Sequence, residues 1–221
     1  SDTGVVGYVR DLSGNGFDLT STGDDTTRPT WNLNGGLPYL NFDGSNDLLR
    51  RAADLGLHAA ARITGFSVFA AARGNPATNG RLFTINDSAS PNTLFGILQA
   101  GNATASDNVC QYRNNAGGAV DLSLLPLLPN AYPNTDQVVG TTDTGTLVTA
   151  YLNAGNAVSQ SYTDTGTYNQ SVTTVGALIR NTTSNWWAGR LYALVAVKRV
   201  LSVPEIRNLS TYLAKKMGVV V

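Results

Sequence analysis

Short apolar runs separated by turn-forming residues dominate this sequence and restrict the folds open to it. About ten runs are rich in aromatic and aliphatic residues, and each is bounded by Gly, Asn, Asp or Pro, as strands are. They cover residues 4–12, 37–42, 65–73, 81–85, 93–100, 108–113, 136–143, 146–155, 172–179 and 190–199. No helical pattern alternates with them, so the sequence predicts an all-β sandwich of two antiparallel sheets. We expect residues 1–221 to form a single domain.

Three segments carry more specific signals. Residues 136–155 predict a β-hairpin with its turn at Asp143-Thr144-Gly145. The C-terminal segment predicts one short α-helix, over about 203–217, because Ser202 and Glu205 have the spacing of a capping box and apolar residues then recur on one face. The proline-rich residues 123–134 predict a surface crossover rather than a central strand.

The composition argues against several functional classes. Fifteen basic and fifteen acidic residues leave a net charge of zero, and nucleic-acid binding would need a basic surface. No apolar run approaches the roughly 20 residues needed to span a bilayer, so we expect no membrane insertion. Cys110 is the only cysteine, which excludes an intrachain disulfide.

Low charge with abundant Gly, Thr, Asn and Ser indicates an extracellular bacterial protein or a protein of a virion surface. The first residue is Ser1, so we expect a processed or excised piece.

Catalytic partners are scarce. His58 is the only histidine, and no Gly-x-Ser-x-Gly nucleophile motif accompanies it. Glycoside hydrolysis commonly uses two carboxylic acids, whereas the only glutamate, Glu205, is already assigned to the helix start. The chain is therefore expected not to be an enzyme. A polysaccharide lyase or hydrolase that uses aspartates is the least favoured alternative.

Two loops are dense in oxygen ligands of the kind that Ca²⁺ prefers. They are "RDLSGNGFDL" at 10–19 and "FDGSNDLL" at 42–49, with Asp11 and Asn15 as the first candidate ligands and Asp43 and Asp47 as the second. The same residues are turn formers, so the alternative is that both loops are turns without a metal. If calcium binds, so few carboxylates predict a weak site.

Two adjacent tryptophans, Trp186 and Trp187, enter the last predicted strand, where neighbours point to opposite faces. Charged residues occur only at even positions from 186 to 198, which predicts that Trp187 is in the core and that Trp186 faces outward beside Arg190 and Tyr192. A bulge near Gly189 would reverse the two indoles. An exposed indole suits a sugar face or a protein partner. The alternative is that a loop or another subunit covers it.

The ordered motifs "DLSGNGFDLT", "RPTW", "LPYLNFDGSNDLL", "GFSVFAAAR", "TAYLNAG" and "WWAGRLYALVAVKRVLSVPEIRNLSTYLAKKMG" span nearly the whole chain. Together they resemble the laminin-G-like branch of the concanavalin A-like lectins and glucanases, in the version found in bacterial secreted proteins and phage virion proteins. The resemblance implies a jelly-roll sandwich and a binding function. It also implies that some relatives use a calcium site.

Two functions follow as alternatives. The first is a carbohydrate-binding or host-adhesion module, for which Trp31, Tyr112, Tyr132 and Trp186, with Arg190 and Tyr192, are the candidate ligand contacts. Its partner would be a glycan or a cell-surface polysaccharide. The second is a structural module of a capsid, tail or fibre, whose partners would be virion proteins. Either could form a homo-oligomer.

Overall fold

The computed structural model describes most of the chain. The described residues are 4–53, 55–57, 65–74, 80–90, 94–99, 110–113, 119–122, 135–153, 155–163 and 169–220. His58, Tyr132 and the proline-rich segment 123–134 lie outside them, so the predictions made for these positions stay predictions.

Two eight-stranded sheets, in which each described strand pair is antiparallel, form a β-sandwich, as predicted. Sheet one has the strand order β1-β4-β5-β18-β7-β12-β13-β14. Its strands are β1 (Gly4–Val5), β4 (Thr30–Asn34), β5 (Leu37–Asp43), β7 (Phe66–Gly74), β12 (Gln137–Asp143), β13 (Leu147–Leu152), β14 (Asn156–Ser161) and β18 (Ala188–Val197).

Sheet two has the order β11-β10-β9-β8-β15-β6-β3-β2. Its strands are β2 (Tyr8–Val9), β3 (Leu19–Thr20), β6 (Leu49–Arg51), β8 (Arg81–Asn86), β9 (Leu94–Gln99), β10 (Cys110–Arg113), β11 (Ala119–Leu122) and β15 (Val172–Val175). A small separate hairpin joins β16 (Leu178–Ile179) to β17 (Thr183–Ser184), and one 3-10 turn covers Asp25–Thr27.

The core between the sheets is apolar and aromatic, and Trp187 is its largest fully buried side chain. Its ring lies 5.4 Å from that of Phe42, and its backbone N–H donates to the carbonyl of Gly176 at 2.8 Å. Gly176 has φ +94°, and a Cβ there would approach the Phe42 ring to 2.5 Å. Only glycine therefore fits beside this aromatic pair. The prediction that Trp187 is in the core is confirmed.

β18 changes its pattern of faces at Tyr192. Leu191 lies opposite Ala72 while Ala193 lies opposite Ala71, so Tyr192 is the extra residue of a β-bulge. Leu191 precedes the bulge and packs in the core between the sheets, and Leu194, after it, packs there as well. The simple alternation predicted for this strand is therefore wrong beyond Tyr192, where the outer-face residues are Ala193, Val195 and Val197.

Helix α1 (Val203–Met217) begins and ends where the sequence predicts and packs on the outer face of sheet one. Glu205 organises its start: the carboxylate accepts hydrogen bonds from the N–H and hydroxyl of Ser202 and from both terminal nitrogens of Arg199. Gly218 ends the helix in the left-handed region at φ +73°. Among the described residues, no helix has the length and the apolar stretch needed to span a membrane.

The predicted hairpin of β12 and β13 is confirmed, with Asp143 accepting the Gly145 N–H at 2.6 Å inside the turn. Its second strand is shorter than predicted, because Asn153 takes φ +49° and the chain turns back into β14. β4 is absent from the predicted runs. It pairs with β5 through Gly35 and Gly36, whose positive φ angles suit a two-residue hairpin turn.

Candidate functional site

The outer face of sheet one carries a group of half-buried polar and aromatic side chains beside helix α1. Directly opposed residues of an antiparallel pair share a face, so strand register places them. One row crosses four strands and consists of Thr30, Asn41, Arg190 and Arg73. In the next row, Asn32 of β4 opposes Tyr39 of β5, whose ring contacts that of Tyr192. We call Asn34, Tyr39, Asp136, Arg190 and Tyr192 the tyrosine–arginine patch.

Contacts with aromatic rings hold the centre of the tyrosine–arginine patch together. The rings of Tyr39 and Tyr192 have centroids 5.4 Å apart and are tilted by 43°. The guanidinium carbon of Arg190 lies 4.9 Å from the centroid of the Tyr39 ring, within the range of a cation–π contact. Alternation along β18 places Tyr192 on the same face as Arg190, and the bulge at Tyr192 changes the faces of the residues that follow it.

The Tyr192 hydroxyl connects the two ends of the patch. It donates to Oδ1 of Asp136 at 3.0 Å and accepts from Nδ2 of Asn34 at 3.3 Å. Burial is the main cause that raises the pKa of Tyr192, and the hydrogen bond to Asp136 adds to it, whereas hydrogen bonds with Arg190 and Asn34 act in the opposite direction. The phenol therefore stays neutral at physiological pH and serves as a fixed donor to Asp136.

Of the predicted ligand contacts that the structure describes, Arg190 and Tyr192 lie together, and Tyr132 lies outside the described residues. Trp31 lies opposite Leu40, which packs on the core between the sheets, so Trp31 is on the other face of sheet one. Trp186 is half-buried and precedes β18, and no ring contact joins it to Tyr39 or Tyr192 within the described part of the chain. Tyr112 lies on β10 of sheet two, where it pairs with Phe95 and Val120, so its strand is not part of the sheet that carries the patch.

The first predicted metal loop is closed by its own hydrogen bonds. The Asp11 carboxylate accepts from the Ser13 N–H at 2.8 Å, the Ser13 hydroxyl at 2.7 Å and the Phe17 N–H at 3.0 Å. These donors hold the pKa of Asp11 at about 2, the Phe17 N–H being the largest cause. Nδ2 of Asn15 donates to the Ser13 hydroxyl at 2.9 Å. Both oxygens of Asp11 therefore already have partners.

The carboxylates of the second predicted metal loop also accept hydrogen bonds from the backbone of their own loop. Oδ1 of Asp43 accepts from the N–H groups of Ser45 and Asn46 at 2.7 and 3.2 Å. Oδ2 of Asp47 accepts from the N–H of Asp43 at 2.7 Å, and burial raises the pKa of Asp47. Among the described residues, no cluster of three or more His, Cys, Asp or Glu side chains could hold a metal ion. These contacts favour the turn alternative, and calcium binding stays a prediction.

Sequence reasoning missed Asn34, Tyr39 and Asp136. Tyr39 and Asn41 alternate with Leu40 and Phe42 in "LPYLNF", a period-2 pattern that puts a tyrosine and an amide on one polar face. That signal was available from the sequence. The pairing of Asn34 with Tyr192 joins residues 158 positions apart and had no local signal.

Comparison with known proteins supports the fold. No family model matches the chain, and no protein with a curated description does either. Among solved structures, the binding domain of Paraclostridial Mosquitocidal Protein 1 is 15% identical over 92% of this chain and 49% of that one, with a TM-score of 0.61. Domain 4 of AbnA, an extracellular arabinanase from Geobacillus stearothermophilus, in complex with arabinotriose, is 12% identical over 82% and 81%, with a TM-score of 0.59.

A third neighbour is the CBM40 of the Ruminococcus gnavus IT-sialidase bound to α2,3-sialyllactose, 12% identical over 68% of this chain and 84% of that one, with a TM-score of 0.52. This chain spans about half of the mosquitocidal binding domain and 26% of another neighbour, NanB with Optactamide. At these identities the likeness shows a shared β-sandwich. The narrower resemblance to laminin-G-like domains stays a prediction.

Proposed function

We propose that this chain is a non-enzymatic glycan-binding module and that the tyrosine–arginine patch is its binding surface. The observation that supports this most strongly is the composition of the patch. It combines two tyrosine rings in contact, an arginine over one of them, an amide and a carboxylate on one face of the sheet. Aromatic faces suit the C–H faces of sugars, and the polar groups suit their hydroxyls.

The structural neighbours support the same function. The arabinanase domain is seen with arabinotriose, the sialidase CBM40 with sialyllactose, and a further neighbour concerns entry of botulinum neurotoxin type C through interaction with two ganglioside molecules. Since fold does not determine function, these ligands indicate a class of partner and not a particular sugar.

A binding role without catalysis fits the residues of the patch. Glycoside hydrolysis commonly places two carboxyl groups on either side of the scissile bond. The patch contains a single carboxylate, Asp136, which already accepts a hydrogen bond from Tyr192. We therefore expect no new reducing ends to form when a polysaccharide that binds the protein is incubated with it for a long time.

The proposed setting is a bacterial surface protein or a virion on which the module adheres to a host glycan. The charged fraction of 14% and the neutral net charge are typical of extracellular β-proteins. Labelled protein should bind intact bacterial or host cells, and treatment of the cells with a glycosidase that removes the bound glycan should abolish the binding.

A glycan array followed by isothermal titration of its hits tests the proposal. We expect Tyr39→Ala to weaken binding of the hit by about tenfold or more, because it removes the aromatic surface and the support of Arg190. Tyr212→Ala is the matched control, since Tyr212 is exposed on helix α1. An array without any bound glycan would refute the proposed function. Equal affinities of the wild type and Tyr39→Ala would place the site elsewhere.

A further inference from the structure

Arg190 is a cation whose partners within the described part of the chain are neutral. Its guanidinium lies over the Tyr39 ring and interacts with the Tyr192 hydroxyl. The two salt bridges found among the described residues are Arg28–Asp25 and Arg199–Glu205, and neither involves Arg190. Contacts with Tyr39 and Tyr192 limit the movement of the guanidinium, whose five N–H donors suit an incoming acceptor.

The residue directly across from Arg190 adds positive charge to the same place. Arg73 of β7 opposes Arg190 in register, and on the other side Arg190 opposes Asn41 of β5. Like charges directly opposite on neighbouring strands destabilise a sheet. An anion bound at this row would interact favourably with both cations.

Two carboxylates lie near the arginine row, because Asp136 precedes Gln137, which opposes Ala72, and Asp43 is two residues from Asn41. Asp136 is held by the Tyr192 hydroxyl, and Asp43, opposite Ala188, accepts hydrogen bonds inside its own turn. The guanidinium of Arg190 therefore has no ion-pair partner among the described residues, and the amide residue Asn41 lies opposite it.

From this arrangement, and resting on the proposed function, we infer that the ligand is an acidic sugar whose carboxylate binds Arg190. A guanidinium binds a carboxylate through two parallel hydrogen bonds, a geometry that a sugar hydroxyl cannot match. The adjacent Asn41 amide and the Tyr39–Tyr192 pair would then contact the remaining hydroxyls and the ring of the sugar.

The test compares matched acidic and neutral ligands by isothermal titration. One pair is a polyuronate and its carboxyl-reduced form, and the other is sialyllactose and lactose, so the two arms distinguish uronic from sialic acids. We expect at least one acidic ligand to bind about tenfold or more tightly than its neutral partner, with an affinity that falls as salt rises.

Two variants and one control assign the effect to Arg190. Arg190→Gln should bring the affinity for the acidic ligand down to that for the neutral one, and Arg190→Lys should restore only part of it because the bidentate geometry is lost. Arg207→Gln removes the same charge from an exposed position on helix α1 and should change neither. Circular dichroism and the Tm establish that each variant is folded.

The outcomes separate this inference from the proposed function. Equal affinities for acidic and neutral ligands, or an equal loss of both in Arg190→Gln, would overturn the acidic-sugar inference and leave glycan binding intact. Failure to bind any glycan, acidic or neutral, would overturn both.

Discussion

At the scale of single residues, carboxylates fix the backbone of the turns. Asp11 accepts hydrogen bonds from Ser13 and Phe17, and Asp18 accepts the Asp11 N–H at 2.8 Å and the Tyr8 hydroxyl at 2.6 Å. The lowered pKa of Asp11 reflects these donors. Such an aspartate has its oxygens directed into the loop, so the network accounts for the acidic composition of the segment without a metal ion.

The two alternatives for these loops predict different melting behaviour. On the turn alternative, protein stripped of metal should have the same Tm in millimolar calcium and in chelator, because no ligand binds only to the native state. Differential scanning calorimetry, with magnesium as the control ion, measures this. A calcium-specific rise of a few degrees that disappears in Asp11→Ala would establish the calcium site instead.

Single residues could be predicted where the information is local. The exclusion of charge from odd positions placed Trp187 in the core, and the Ser-x-x-Glu spacing identified Glu205 as the residue that organises the helix start. Tyr39 was missed because its importance comes from Arg190 and Tyr192, about 150 positions later in the chain. Contacts between distant strands depend on register, which local pattern does not specify.

At the scale of elements, a glycine in β12 makes room for an aromatic ring under helix α1. Gly140 lies opposite Phe69 on β7 and Tyr151 on β13, and a Cβ at Gly140 would come within 2.0 Å of the Phe69 ring. Phe69 in turn packs with Ile206 and Leu213 of the helix. The close approach of ring and backbone therefore sets how deeply the helix docks.

Gly140→Ala should lower the free energy of unfolding by roughly 1–3 kcal/mol, because the methyl group overpacks this interface. Chemical denaturation at neutral pH measures the change. Gly4→Ala is the matched control, since no atom lies within 4 Å of the position that its Cβ would take. If both variants were equally stable, Phe69 would not be in the position described.

The start of helix α1 should respond to acid through Glu205. Its pKa is lowered from 4.5 to about 2, chiefly by the hydrogen bonds from Arg199 and also by those from Ser202. A carboxylate with a lowered pKa stabilises the fold above its unfolded pKa, and this stabilisation is lost as pH falls through its folded pKa.

We therefore expect the Tm of Glu205→Gln to lie below that of the wild type at neutral pH and the difference to shrink between about pH 4.5 and 2. Thermal melts of both proteins across this pH range measure the difference in Tm. The other carboxylates are present in both proteins, so their contributions to the pH dependence cancel in that difference. A difference that does not change with pH would mean that the ion pair with Arg199 contributes nothing.

Among the elements, helix α1 and the β12–β13 hairpin were predicted with their bounds or turn, since a capping box, a periodic stripe and an Asp-Thr-Gly turn are local signals. β4 and β14 were missed, because "TWNLN" and "NAVSQS" are largely polar and pair in the outer part of sheet one. The bulge at Tyr192 arises from the register with β7 and had no signal within β18 itself.

At the scale of the whole molecule, the two faces of sheet one contact different parts of the structure. The inner face packs on sheet two, with Trp187 at the centre of that core. The outer face is divided between helix α1, which covers β7, β12 and part of β18, and the tyrosine–arginine patch beside it. The hydrogen bonds and ring contacts of the patch order its side chains before a ligand binds, which reduces the entropy lost on binding.

The most direct test of this account is an NMR titration of isotope-labelled protein with the best glycan from the array. We expect the backbone amides of Asn34, Tyr39, Arg190 and Tyr192 to shift together along one binding curve. The amides of the Asp11–Asp18 loop, on the opposite sheet, and of Trp186 should stay in place. Shifts confined to that loop or to Trp186, with the tyrosine–arginine patch unchanged, would contradict it.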